Sequence, residues 1–325
     1  MKAIVCTKYG PPEVLQLKEV EKPSPRPDEV CVKVYASAVT ASDIYIRGSQ
    51  LPLRFWLPMR LILGFTKPRK SVIGMVLAGE IESVGRDIKR FKSGDRVYGV
   101  TGLGLGAYAQ YKCMKETDSM YGCLSIKPAN ISYEEATAAA YGGLLALQRM
   151  EEGQIQRGQK ALIYGASGTS GSIAVQLAKY YGAEVTGVCS ARNLEFVKSL
   201  GADKVIDYAK EDSVSLIDRY DFMLDAAGKA KTSILKEMCK KSLNPNGKYI
   251  SIDDGKLELK SERLVKMKEF IDAGYIKPVV DRIYPMDRIA EAHEYVEKGH
   301  KRGGVAISIP HSNSCLAPLI GSSLE

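Results

Sequence analysis

Three glycines, Gly165, Gly168 and Gly171, follow the apolar run Ala161 to Tyr164 and open a segment of helical character that continues to Lys179. The spacing gives each a task. Gly165 makes a tight turn, Gly168 lets backbone amides approach a pyrophosphate, and Gly171 lets a helix pack closely on the strand before it. Ser167, Thr169 and Ser170 lie between them as further candidate contacts. The unpaired N–H groups and positive end of the helix starting near Ser170 attract phosphate. A glycine-rich turn without a ligand is the alternative, and the flanking strand and helix weigh against it.

About two dozen residues on, at the end of the next strand, an NAD enzyme needs Asp or Glu for the ribose hydroxyls. Here Val188, Cys189, Ser190, Ala191, Arg192 and Asn193 stand instead. No carboxylate repels a 2′-phosphate. Ser190 can donate to it and Arg192 can supply a charge-assisted bond, so NADPH is favoured over NADH. The plain alternative is that Arg192 merely starts a helix in solvent, where a cation is electrostatically poor.

The elements that must position these groups fall into two regimes. Up to about residue 120, short β-type runs are separated by Gly, Pro and Asp: Ala3 to Cys6, Glu29 to Ala38, Met75 to Val84, Asp95 to Val100 and Ala107 to Tyr111. From Ser132 onward helix-length segments alternate with the apolar runs Ala161 to Tyr164, Glu184 to Val188, Lys204 to Asp207, Asp221 to Asp225 and Lys248 to Ile252. That alternation predicts a parallel, doubly wound sheet. Helices follow at Ser261 to Ala273 and Met286 to Lys298, and the run Val305 to Ile309 returns to the first unit because it cannot easily extend a parallel sheet.

The 325 residues suffice for two domains. No run of about 18 or more apolar residues spans a membrane, and the N-terminus reads as a strand, so the expected location is cytoplasmic. Seven scattered cysteines without a CxxC pair suggest reduced thiols. The formal charge of +8 admits an anionic ligand, a nucleic-acid surface or a solvated basic face, and the mixing of signs favours the last. All three histidines, His293, His300 and His311, lie near the C-terminus, so no imidazole is available for a metal in the first half.

Four further stretches resemble a known family. Asp225 to Gly228, Leu243 to Ser251, Gly274 to Asp281 and Ala292 to His300 are similar to successive signatures of zinc-independent medium-chain dehydrogenases/reductases of the quinone oxidoreductase type, and the likeness runs from Met1 to about Ile309. It implies an α/β fold: a GroES-like β-barrel domain over 1–120, completed by 275–310, and a Rossmann doubly wound parallel sheet over 121–274, with a disordered tail at 311–325. The active site would lie between the domains. Thr40 and Met75 stand where zinc-dependent relatives carry Cys and His, so no metal is expected.

Without zinc, the reaction supported is hydride delivery from NADPH to a quinone or an α,β-unsaturated carbonyl, whose growing negative charge needs hydrogen-bond donors. In similar enzymes an Asn and a Tyr about five residues later face the nicotinamide. Thr40 takes the Asn position and Tyr45 the other, which makes Tyr45 the candidate donor. The resemblance adds Tyr208 and Ala227 as cofactor contacts. A catalytically idle NADPH-binding sensor on the same scaffold is the alternative function.

Between Asp43 and Glu80 there is no acidic residue, yet basic side chains interleave with Phe55, Trp56 and Phe65. A lid over the acceptor from about Gly48 to Pro68 is the favoured reading, against a membrane-surface element or a loop covered by Arg stems. A bulky lipophilic acceptor would suit such a lid, and the expected partner is a small-molecule, lipophilic, electron-poor substrate. Nucleic acid is not expected as a partner. The short connection Asp253 to Lys260 leaves little room for a further helix and edge strand, so the usual family dimer is expected to be altered and the oligomeric state stays open.

Overall fold

A computed structural model describes residues 1–48, 60–61 and 63–311. β1 (Lys2–Cys6) pairs antiparallel with β2 (Leu15–Glu19) at the start of the chain. β3 (Glu29–Ala38) is the longest strand, and its nearly continuous burial follows from having partners on both edges. On one edge lies β4 (Val76–Val84), followed by β5 (Arg96–Val100) and β7 (Cys123–Ile126); on the other lies β6 (Tyr111–Lys115). Between β3 and β4, α1 (Ala41–Gly48) carries Tyr45.

The second sheet is five parallel strands: β8 (Lys160–Tyr164), β9 (Glu184–Cys189), β10 (Lys204–Asp207), β11 (Tyr220–Asp225) and β12 (Leu243–Ser251), in the order β10-β9-β8-β11-β12. The chain enters it through α2 (Tyr133–Ala138), a π turn (Ala139–Gly143) and α3 (Leu144–Gly153). Ser132 and Glu135 form a capping box that starts α2. The crossover helices are α4 (Thr169–Tyr180), α5 (Leu194–Ser199) and α6 (Ile234–Lys241). The strand order reverses between β8 and β11, and ligands of such sheets bind beyond the carboxyl ends of the strands at that point.

After α7 (Ser261–Asp272) the chain returns to the first sheet. β14 (Gly304–Ser308) runs antiparallel to β3 and parallel to β13 (Val280–Pro285), and α8 (Ile289–Glu297) joins the two. One apolar core spans both sheets: Val76, Tyr98 and Cys123 share a cluster with Leu147, Ile163 and Leu264. The Tyr98 hydroxyl donates to the Leu264 carbonyl at 2.6 Å, so the cleft walls are pinned to one another by packing and by a buried bond.

Three boundaries are corrected. The first unit does not end at residue 120, because β7 pairs with β5 and belongs to the first sheet. The strand placed at Ala107 to Tyr111 begins only at Tyr111; the stretch before it is tied to the Ile73–Gly74 turn, whose carbonyls take the N–H groups of Tyr108 and Ala107. His311, assigned to a disordered tail, is buried edge-on against Tyr35 and Tyr111, with Nε2 2.8 Å from the Val34 carbonyl. Residues 312–325 lie outside the described residues. Among the described residues no strand pairs with β12 on the side away from β11, so β12 is the edge of the second sheet.

Candidate functional site

The glycine turn sits at the reversal of strand order. Gly165 leaves β8 with φ +81°, where a β-carbon would stand 2.9 Å from the Ala227 nitrogen just past β11. Gly171 has no room at all: its β-carbon would lie 2.2 Å from the Gly165 carbonyl oxygen, so α4 closes directly onto the turn. Gly168 is different. A β-carbon there meets nothing nearer than the Gly165 oxygen at 3.5 Å, and the space beside it is open. Gly168 is also the residue from which α4 starts, so this space adjoins the positive helix end, a cradle that fits a pyrophosphate. Thr169 and Ser170 are half-buried in the first turn.

A segment from the far end of the chain closes over this turn. The Gly303 N–H donates to the Ser167 carbonyl at 2.8 Å, and the Thr169 hydroxyl donates to the Gly303 carbonyl at 2.8 Å. Lys301 Nζ reaches Thr169 Oγ1 at 2.5 Å and the Gly303 carbonyl at 2.7 Å. Burial lowers the Lys301 ammonium to about 8. Ser190 and Arg192 follow β9, and buried Asn193 ties that rim to the turn: its Nδ2 donates to Ser167 Oγ and to Ser190 Oγ, each at 3.1 Å. Its Oδ1 accepts from Arg302 Nε at 2.8 Å. Arg302 also donates to the Arg192 carbonyl, and Arg192 to the His300 carbonyl, at 2.7 and 2.9 Å. The two guanidiniums thus flank Ser190 on an exposed rim. Tyr208 stands just past β10, half its surface open, with its N–H on the Cys189 carbonyl at 3.0 Å.

Lys301, Arg302 and Asn193 escaped the sequence reading. Their one signal was a basic pair directly before two glycines, Gly303 and Gly304, at the head of a strand; nothing local said that this strand would lie against the glycine turn.

On the barrel side, Thr40 begins α1. Its hydroxyl donates to Asp43 Oδ2 at 2.6 Å and accepts the Asp43 N–H at 3.2 Å. The hydroxyl hydrogen is therefore committed, and what Thr40 offers a ligand is a lone pair. Asp43 is fully buried, and burial pushes its carboxyl up to about 6 against the bonds from Thr40 that hold it down. Beneath it lie Tyr108, whose hydroxyl is 3.2 Å from both the Ala38 carbonyl and His293 Nε2, and Arg47, which donates to the Gly10 carbonyl at 3.2 Å and pairs with Glu297. Tyr45 points away from this cluster, 44% exposed. Ser42, between Thr40 and Asp43 in the same turn, has its Oγ 2.9 Å from the Tyr141 hydroxyl of the π turn. Phe65 is half exposed, whereas Phe55 and Trp56 lie outside the described residues.

The model of the alcohol dehydrogenase GroES-like domain matches residues 26–125, and two models of zinc-binding dehydrogenases match 171–270 and 256–307. The chain is 31% identical to a 2-methylene-furan-3-one reductase of Solanum lycopersicum, over 94% of this chain and 79% of the relative. It is 31% identical to a chloroplastic NADPH-dependent alkenal/one oxidoreductase of Arabidopsis thaliana, with the same two coverages, 94% and 79%. Among solved structures, the quinone oxidoreductase of Coxiella burnetii superposes with a TM-score of 0.80 at 25% identity, covering 95% of this chain and 99% of that one.

Proposed function

We propose a function from one premise: the chain belongs to the medium-chain dehydrogenase/reductase family, as an NAD(P)H-dependent oxidoreductase of the quinone and enone reductase type. The finer reading is an NADPH-dependent reductase that passes hydride, without a catalytic metal, to a small, lipophilic, electron-poor quinone or α,β-unsaturated carbonyl. When bound, NADPH supplies the hydride. Gly165, Gly168 and Gly171 would receive the pyrophosphate, with Ser167, Thr169, Ser170 and Lys301 around it and Ala227 across the strand reversal. Ser190, Arg192 and Arg302 would take the 2′-phosphate, with Tyr208 beside them. The observation that carries this reading is the basic rim after β9, where Arg192 and Arg302 meet and no acidic residue directly follows the strand, joined through Asn193 to the open space at Gly168.

The zinc implied by the names of two matching family models does not fit the residues at its place. Thr40 brings a hydroxyl already shared with Asp43, and Met75 brings a thioether, a soft ligand poorly suited to complete such a site. Among the described residues no group of three or more His, Cys, Asp or Glu side chains converges on a metal position. Thr40 would accept from the carboxamide of the nicotinamide, and Tyr45, exposed on α1, would pack at the mouth of the acceptor site. No observation favours a catalytically idle sensor. No helix among the described residues is long and apolar enough to cross a membrane, and the described cysteines are free thiols, which suits a reducing compartment such as the cytoplasm.

The test is NADPH consumption against a panel of quinones and enones, with NADH in parallel, on protein prepared without added metal and again after chelation. Turnover of at least one class, preference for NADPH and indifference to the chelator are expected. Cofactor binding without turnover of any panel member, or activity lost to chelation, would overturn the reading.

A further inference from the structure

We propose that the Tyr141 hydroxyl, held by Ser42 across the interdomain cleft, is the acid that protonates the acceptor during reduction; this rests on the reductase reading of the site. The pair is 2.9 Å apart although its members are 99 positions apart in sequence, one from the barrel turn that carries Thr40 and the other from the entrance to the second domain. Tyr141 lies in the π turn between α2 and α3, and π turns inside helices recur at functional sites because they re-aim a side chain. Its neighbour Gly142 has no space for a side chain: a β-carbon would stand 2.6 Å from Thr169 Cγ2, in the first turn of α4. The ring is thereby anchored beside the start of the phosphate-binding helix, while its hydroxyl reaches the barrel.

The charges nearest this hydroxyl come from Asp43 on the barrel side and from Asp253 just past β12. Asp253 accepts the Lys229 N–H at 2.6 Å beyond the carboxyl end of β11. Tyr141 therefore sits where three parts of the candidate site meet: the Thr40 turn, the start of α4 and the strand reversal. Burial raises the phenol above its ordinary range, against the Ser42 hydrogen bond that lowers it and with both carboxylates adding to the rise, so it keeps its proton at neutral pH. The other hydroxyls nearby are spoken for. Thr40 gives its hydrogen to Asp43, Tyr98 gives its own to Leu264, and Tyr108 is sealed between Ala38 and His293.

Either member of the Ser42–Tyr141 pair can donate. With Ser42 donating, the phenol hydrogen is free for a substrate. In the step, hydride from NADPH, the reductant, bonds to the β-carbon of an enone, and the double-bond pair moves onto the carbonyl oxygen. The Tyr141 O–H breaks as its proton bonds to that oxygen. Ser42 passes its proton to the phenolate and takes one from water. The product of this step is the enol, which tautomerises in water as its α-carbon takes up a proton and its hydroxyl gives one back, so the sum is one enone, one NADPH and one proton converted to a saturated ketone and NADP⁺.

The test uses the full chain as wild type, Tyr141→Phe and Ser42→Ala. Tyr141→Phe should bind NADPH like the wild type yet lose about 10²-fold or more in kcat, and Ser42→Ala should lose less. A second readout needs no turnover: on NADP⁺-loaded protein, bound p-nitrophenol should ionise at a lower pH in the wild type than in Ser42→Ala, because Ser42 sharpens the Tyr141 donor. Tyr141→Phe keeping wild-type kcat would overturn the proposal, as would identical p-nitrophenol titrations, which remain decisive if Tyr141→Phe does not fold. A wild type that reduces no quinone or enone brings down the reductase reading and this proposal together; an active wild type with an equally active Tyr141→Phe brings down this proposal alone.

Discussion

Lys236 and Asp225 form an ion pair with no exposure on either side, Nζ lying 2.5 Å from Oδ2. The ammonium is saturated by the Gly228 and Lys231 carbonyls, each at 2.8 Å. The carboxylate takes the Tyr249 hydroxyl at 2.9 Å on Oδ2 and the N–H groups of Ala227 and Gly228, each at 3.2 Å, on Oδ1. The knot fixes the turn after β11, the one that Gly165 faces across the strand reversal.

Removing one partner leaves a buried charge uncompensated, which costs far more than the net value of the pair. Lys236→Met should lower unfolding stability by about 3–5 kcal/mol, read from urea denaturation. A loss under about 1 kcal/mol would place Asp225 in contact with water in the folded protein, contrary to its full burial.

Gly168 and Gly171 should respond oppositely to a single methyl group. Gly168→Ala adds a β-carbon to open space at φ −76°, a backbone setting any residue adopts, so thermal stability should hold while NADPH affinity drops. Gly171→Ala drives a β-carbon to 2.2 Å from the Gly165 oxygen and should destabilise the fold itself. Thermal melts and fluorescence titration with NADPH separate the two effects. Unchanged NADPH affinity in Gly168→Ala would remove the pyrophosphate from that space.

Arg192→Ala should weaken NADPH more than NADH, by about 1.5–3 kcal/mol for a lost bond to a charged group. Arg302→Ala should do the same and more broadly, since Arg302 also holds the Arg192 carbonyl and the Asn193 amide. Equal losses for the two cofactors in both variants would take the 2′-phosphate away from this rim.

The contrast between these residues explains what could be read in advance. Gly165, Gly168 and Gly171 are legible because turn, helix start and close packing are local demands written within seven positions of one another. Asn193, Lys301 and Arg302 act through contacts more than 100 residues apart in the case of the two basic side chains, and no local pattern encodes that pairing. The same holds for β2 and β13, whose side chains are largely exposed and lack a clear alternation, and for β7, a four-residue strand recognisable only by its partner β5. Ser132 to Tyr141 reads as one helix. The π turn within it, which aims Tyr141 at Ser42, comes from packing against α4 and not from periodicity.

His293 sets the acid limit. It is fully buried, with Nε2 3.2 Å from the Tyr108 hydroxyl and Nδ1 without a partner among the described residues. Burial first, and the Arg47 guanidinium second, depress the imidazole from 6.5 to about 3. The unfolded chain therefore binds a proton that the folded one refuses. This contribution is fully present above the unfolded value of about 6.5 and is lost as pH falls towards 3. Asp43, joined to the cluster through Tyr108, has the opposite sign: raised from 3.8 to about 6, it makes the folded state take up a proton first, so its cost fades as pH falls through 6 to 3.8. The two offset each other over that span, and below it only His293 continues to act. His293→Leu removes one term and leaves the other. From pH 6.5 downward the wild type should lose about 1.4 kcal/mol per pH unit relative to His293→Leu, measured as urea midpoints across the range. Parallel pH profiles for the two proteins would mean that His293 is already charged in the fold, and that the buried cluster has an anion close enough to hold it so.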